Sequence, residues 1–210
     1  MLPFVRTDGG RAKAGFRGHC GDCGTRALAI AGEHDYAEVY RQVAKTKKLR
    51  YSGWNNRGAS PREGLHQIDL EAAMVALDKT GEKTSGSVTV PTTKWKRFEF
   101  PTLASPLCPK TSREIKWTSE FLVNRWDIPS VGTLIVNVPM HYFAVIDGVV
   151  YDSWNSQSDP TQRGPRRRYR GDWFCPEMGA QPMLHAYVRM DKPFVRPETW
   201  TEDLVTEWNV

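Results

Sequence analysis

Cys23 stands in the run His19-Cys20-Gly21-Asp22-Cys23-Gly24-Thr25-Arg26-Ala27-Leu28-Ala29-Ile30-Ala31, at the head of a short apolar stretch. Far downstream, Met140-His141-Tyr142-Phe143-Ala144-Val145-Ile146-Asp147-Gly148 leads into Val149-Val150-Tyr151-Asp152-Ser153-Trp154-Asn155. A thiol, then a histidine, then a carboxylate is the chain order of a nucleophile, its base and the group that orients the base. A free thiol with a pKa of about 8.5 is mostly protonated at neutral pH, and a helix N-terminus and an imidazolium both favour the thiolate. With His141 docked on Cys23, the imidazole returns the proton to a leaving amine and Asp152 fixes the tautomer. The backbone N–H of Cys23 supplies one donor to a developing oxyanion. The sequence offers no obvious second donor.

The elements around His141 follow from a turn signal. Asp147-Gly148 between two apolar runs predicts a two-residue hairpin loop, because a type I′ turn needs positive φ at both central positions. The loop pairs Ile146 with Val149, Phe143 with Asp152 and His141 with Trp154. Side chains alternate between faces, so His141, Phe143 and Val145 share a face with Val150, Asp152 and Trp154. Asp152 is then the diagonal neighbour of His141, about 7–8 Å away before the side chains reach toward each other. Asn155 falls on the opposite face and is the weaker orienter, while Trp154 shields the His–Asp contact. A one-residue bulge would reverse that choice.

The other elements are read from caps and periodicity. Residues 1–19 form an extended, basic, glycine-rich lead-in. Asp22 is the N-cap of a helix over 23–31 that Gly32 stops. Asp35 caps a second helix over 36–47, with Tyr36, Val39, Tyr40 and Val43 on one face. Ser60-Pro61-Arg62-Glu63 has the serine, proline and glutamate of a helix start, so a third helix runs from there to about Gly81. Val88-Thr89-Val90 alternates as a strand, residues 91–115 read as irregular, and 119–126 as a short helix. Residues 133–138, 142–147, 149–153 and 183–190 read as strands. Helices first and antiparallel strands afterwards predict an α+β fold, N-terminal helices packed on a C-terminal antiparallel sheet, as one domain over 1–210. Trp200 and Trp208 in the acidic end predict that residues 191–210 pack on it as a tail.

These residues carry a family resemblance. Cys20-Gly21-Asp22-Cys23 resembles the nucleophile signature of the papain-like cysteine peptidases. Asp152-Ser153-Trp154 resembles their asparagine-serine-tryptophan segment, and His141 precedes a strand as their histidine does. The Asp22-Cys23 step with Arg26-Ala27-Leu28 is similar to compact viral and bacterial members and, more weakly, to the ovarian-tumour deubiquitinases. The resemblance implies a papain-like fold and a hydrolase of peptide or isopeptide bonds, with Cys23 as nucleophile, His141 as base and Asp152 as orienter. Asp22, Arg17 and Trp154 are the residues beside that triad. Arg17 stands where the family keeps a glutamine oxyanion donor, and Gly24 where it keeps an aromatic. Those two departures motivate an alternative, a catalytically inactive papain-like scaffold that binds a protein or peptide in its groove.

Composition bounds the rest. The 210 residues are 40% hydrophobic, enough for a core and against wholesale disorder. The net charge of +5 is too modest for a dedicated nucleic-acid binder, and the resemblance implies a protein or peptide substrate, such as a polyprotein or a ubiquitin-like conjugate. Four cysteines at 20, 23, 108 and 175 make no disulfide framework, and no apolar run spans a bilayer, which predicts a soluble protein of a reducing cytoplasm. Cys20-x-x-Cys23 alone could be half a zinc site or a redox pair, but no second ligand pair completes a metal site, and no cofactor is expected. Cys20 is a spectator, a resolving thiol or the nucleophile itself. His185 lies in a strand from which it could face the site. Arg163, Arg166, Arg167, Arg168 and Arg170 are either a solvated loop or a grip on an acidic partner or phosphates.

Overall fold

The computed structural model describes residues 2–18, 21–51, 60–62, 64–85, 88–100, 128–138, 141–153 and 183–206. Strand β1 (Phe4–Arg6) comes first, followed by helices α1 (Cys23–Gly32), α2 (Tyr36–Tyr51) and α3 (Gln67–Asp78). Strands β2 (Lys79–Ser85), β3 (Val88–Thr93), β4 (Trp95–Glu99), β5 (Thr133–Val138), β6 (His141–Ile146), β7 (Val149–Asp152), β8 (His185–Arg189) and β9 (Val205–Thr206) complete the order. β2 and β3 pair as a separate hairpin, and the others form one sheet in the order β1-β7-β6-β5-β8-β4-β9.

The fold is α+β, with two corrections to the sequence expectation. The sheet is mixed, because β1 runs parallel to β7 with Arg6 opposite Asp152. The lead-in therefore supplies an edge strand, and the helices are preceded by part of the sheet. In addition, β4 crosses the segment read as irregular. Lys96, Arg97 and Glu99 hid its apolar positions, yet Trp95, Arg97 and Phe98 are all buried. Arg97 is held there by Glu71 at 2.6 Å and Glu99 at 2.9 Å.

Both faces of the sheet are covered. Ile135, Tyr142, Ala144 and Tyr187 pack under α1, α2 and α3, against Leu28, Val39, Leu70 and Met74. The other face carries Leu134, Val136, Phe143, Val145, Val150 and Val188, closed over by Met183, Trp200 and Leu204. That double burial explains why β5 reads as an unbroken apolar run and not as an alternation. Trp200 is fully buried, with its ring 4.9 Å from Phe100 and 5.1 Å from Phe98.

Helix boundaries moved where a side chain had another use. Gly32 is the last residue within α1 and not the stop after it; a Cβ there would meet His34 Cδ2 at 2.5 Å, so glycine allows a close approach. The left-handed residue is Glu33, φ 59°, whose N–H reaches back to the carbonyls of Ala29 and Ile30. Asp35 caps α2 as expected, accepting from Ala37 N–H at 2.8 Å. α3 starts at Gln67 and not at Ser60, because Ser60 Oγ accepts from Arg62 N–H in a local turn. The buried ammonium of Lys47 holds that turn by donating to the carbonyls of Ser60 at 2.8 Å and Gly64 at 2.6 Å. α3 then stops at Asp78, where buried Trp95 Nε1 donates to its carboxylate at 2.7 Å. The expected helix over 119–126 lies outside the described residues.

Candidate active site

The hairpin that carries His141 has the register its turn dictates. Asp147 and Gly148 have φ of 48° and 72°, and Ile146 pairs with Val149, Val145 with Val150 and Ala144 with Tyr151. Asp147 fixes the turn further by accepting from Gly132 N–H through Oδ1 at 3.0 Å. Phe143, Val145 and Val150 enter one core together, which places His141 and Asp152 on their face of the sheet. There His141 Nε2 and Asp152 Oδ2 lie 2.5 Å apart, both residues buried. Asp152 Oδ1 accepts from the backbone N–H of Ser153 at 2.6 Å, so both carboxylate oxygens are engaged.

Cys23 begins α1, and α1 lies across β6 so that the thiol meets the first residues of that strand. The sulfur is hydrogen-bonded to the His141 ring and accepts from the backbone N–H of Tyr142. Nε2 belongs to Asp152, which leaves Nδ1 for the sulfur. Burial pushes the Cys23 thiol up, but the His141 hydrogen bond and charge, the Tyr142 N–H and the Arg26 charge outweigh it and hold the thiol below its ordinary range. Burial also works against a charged His141, yet the charge and hydrogen bond of Asp152, with those of Cys23, raise it to about 9. Both shifts favour the thiolate and imidazolium form of the pair.

Asp22 does not do what its position predicts. It precedes α1 at the N-cap, but its side chain makes no cap hydrogen bond. The carboxylate instead forms ion pairs with Arg11 Nε at 2.8 Å and Arg26 Nε at 3.2 Å, and accepts from Tyr36 O–H at 2.5 Å. The local preference for capping loses to Arg26 one turn along the same helix and to Arg11 and Tyr36, which the tertiary structure brings in. The first N–H groups of α1 are thereby left without a side-chain cap from Asp22.

Gly24 has a packing reason. A Cβ there would stand 2.7 Å from Leu65 Cδ2 and 3.4 Å from Tyr142 Cδ2, so Leu65 fills the space an aromatic at this position would take. Arg17 is exposed, and its carbonyl accepts from Arg11 Nη2 and Arg62 Nη2, each at 3.0 Å. Trp154, Asn155, Cys20 and the arginines from Arg163 to Arg170 lie outside the described residues.

One residue beside the site was not singled out by spacing. Asn137 Nδ2 donates to the His141 carbonyl at 3.2 Å and steadies the start of β6. A lone buried amide within Leu134-Ile135-Val136-Asn137-Val138 was the available signal for it. His185, opposite Asn137 in the ladder, is buried with its ring 5.1 Å from Tyr187 and 6.2 Å from Tyr142. Burial, with the Arg97 charge, depresses it to about 3, so it stands as a neutral imidazole. Among the described residues no cluster of histidine, cysteine or carboxylate side chains could hold a metal ion. Nor is any described helix long and apolar enough to cross a membrane.

Comparison with known proteins gives no match, whether to protein-family models, to curated proteins or to solved structures. What this chain does must be argued from the side chains themselves.

Proposed function

We propose that this chain is a papain-like cysteine hydrolase that cleaves a peptide or isopeptide bond of a protein substrate. The observation that carries the reading is the continuous hydrogen-bonded series from Cys23 sulfur through the His141 ring to Asp152. The Cys23 thiolate attacks the carbonyl carbon, forming a C–S bond as the C=O electron pair moves onto oxygen. His141 gives its proton to the leaving nitrogen, the C–N bond breaks, and a thioester remains. His141, now neutral, takes a proton from water as that water attacks the thioester; the C–S bond breaks and the thiolate returns. Asp152 holds the imidazole in line and stabilises its charged form. The N–H of Cys23, at the start of α1, is the donor this reading assigns to the oxyanion.

The reading includes a reducing compartment such as the cytoplasm, where Cys23 stays free, and a viral or phage source, for which the resemblance of Asp22-Cys23 and Arg26-Ala27-Leu28 to compact viral members is the argument. The modest charge favours a protein or peptide over nucleic acid. Iodoacetamide or a peptide aldehyde should modify Cys23 ahead of other thiols. Hydrolysis of a fluorogenic peptide mixture should vanish in Cys23→Ala and His141→Ala. Preferential labelling at Cys20, or none at Cys23, would overturn the assignment.

A second reading has one observation in its favour. Arg17, where the resemblance places an oxyanion donor, turns its side chain to solvent and contributes only a carbonyl. A papain-like scaffold that holds a peptide without cleaving it would need no such donor. Turnover lost in both variants excludes it.

A further inference from the structure

The segment before α1 touches both ends of the triad. At one end, β1 runs beside β7 to its last residue, and Thr7 N–H donates to the Asp152 carbonyl at 2.7 Å. At the other, Arg11 forms its ion pair with Asp22, the residue before Cys23. Between these anchors the chain is folded on itself. Asp8 accepts from Gly10 N–H at 3.0 Å and Ala12 N–H at 2.8 Å, and Arg11 Nη1 and Nη2 donate to the carbonyls of Phe16 and Arg17. Gly9, φ 65°, lies so close to α1 that a Cβ would meet the Arg26 carbonyl at 3.1 Å. Phe16 then packs on Tyr40 at 4.4 Å and on Tyr36 at 5.3 Å, the same Tyr36 that donates to Asp22.

We infer that residues 4–16 are a strap that assembles the catalytic site, with Arg11 as the positioning residue that sets the charge beside Cys23. The triad comes from α1, β6 and β7, and the strap ties the first to the last. Asp22 is buried beside the nucleophile, and a buried carboxylate facing Arg26 alone would cancel the one cation that supports the thiolate from α1. With Arg11 present, the cluster of Arg11, Asp22 and Arg26 carries a net charge of +1 at the start of the helix. The groups acting directly on Cys23 are His141 from β6, Arg26 from α1 and the Tyr142 N–H, and Arg11 acts through Asp22, whose carboxylate it shares with Arg26. Lifting the strap removes a positive charge from the nucleophile and frees the backbone of Asp152 in one step. Cleavage within residues 4–16, or a partner that competes for that segment, would switch the site off. The inference rests on the hydrolase reading of Cys23, His141 and Asp152.

The test is the pH profile of Cys23 alkylation by iodoacetamide, read by mass spectrometry, which needs no substrate. Arg11→Met should raise the apparent pKa of Cys23 by about half to one unit, a roughly 3- to 10-fold loss of alkylation rate at pH below it. Arg11→Lys, which keeps the charge, should restore most of the rate. A merely structural role would lower Tm in both variants without moving the profile, and that result overturns the inference. If Arg11→Met does not fold, amide exchange in the wild-type chain decides. A peptide aldehyde on Cys23 should slow exchange at Thr7 and across residues 9–16, and unchanged exchange there overturns the strap. A wild-type Cys23 that titrates as an ordinary thiol refutes the hydrolase reading itself. A low wild-type value with no response to Arg11→Met refutes the strap alone.

Discussion

Asp152→Asn isolates the carboxylate with almost no change of shape. His141 is buried, and burial alone drives an imidazole below its ordinary 6.5; Asp152 and Cys23 instead raise it to about 9. That rise favours the charged ring, and the Asp152 charge is its largest favourable source. Without that charge burial wins, and at pH 7 His141 becomes mostly neutral. Two readouts follow. The alkylation profile of Cys23 should shift upward, since the thiolate loses its imidazolium partner. Peptide hydrolysis at pH 7 should fall by about 10²- to 10³-fold, the scale of a lost acid–base function. Far-UV circular dichroism should be unchanged, because the asparagine can still accept from Ser153 N–H. An Asp152→Asn chain whose Cys23 profile matches the wild type, with activity within about threefold, would refute the assignment of Asp152 as orienter.

Other outcomes follow from the same geometry. Hydrolysis should rise with Cys23 ionisation at low pH and fall as His141 deprotonates near pH 9, whereas alkylation should stay high above pH 9 because it needs no proton donor; parallel profiles would separate His141 from the chemistry. Stability has a matching sign: the raised His141 contributes fully below about pH 6.5 and its contribution is lost as pH climbs through about 9, measurable as a fall in Tm that His141→Asn abolishes. Gly24→Ala should cost about 1–3 kcal/mol in urea unfolding through its collision with Leu65, and Leu65→Val should recover part of it.

The pairing of His141 with Asp152 was legible in the sequence because it is local. Eleven residues, a two-residue turn with positive φ at both positions, and strict alternation leave one register, so the face shared by the two side chains follows without knowledge of the rest of the fold. The head of α1 was legible for a similar reason, as an apolar run beginning at Cys23. Asp22 marks the limit of that reasoning: local propensity makes it an N-cap, and Arg11, Arg26 and Tyr36 draw it elsewhere. β1, β4 and β9 escaped because pairing partners, and not their own patterns, make them strands; Phe4 meets Val150 across nearly the whole sequence. Serine, proline and glutamate at 60–63 promised a helix that the local turn held by Lys47 displaces to Gln67. The chain order of the candidate groups and the strand face that His141 and Asp152 share were already set locally, since a tight turn and the alternation of side chains are short-range constraints. That Cys23 meets His141, and that residues 4–11 touch both β7 and Asp22, came only with the packed fold, because both depend on contacts between segments that no local interaction links.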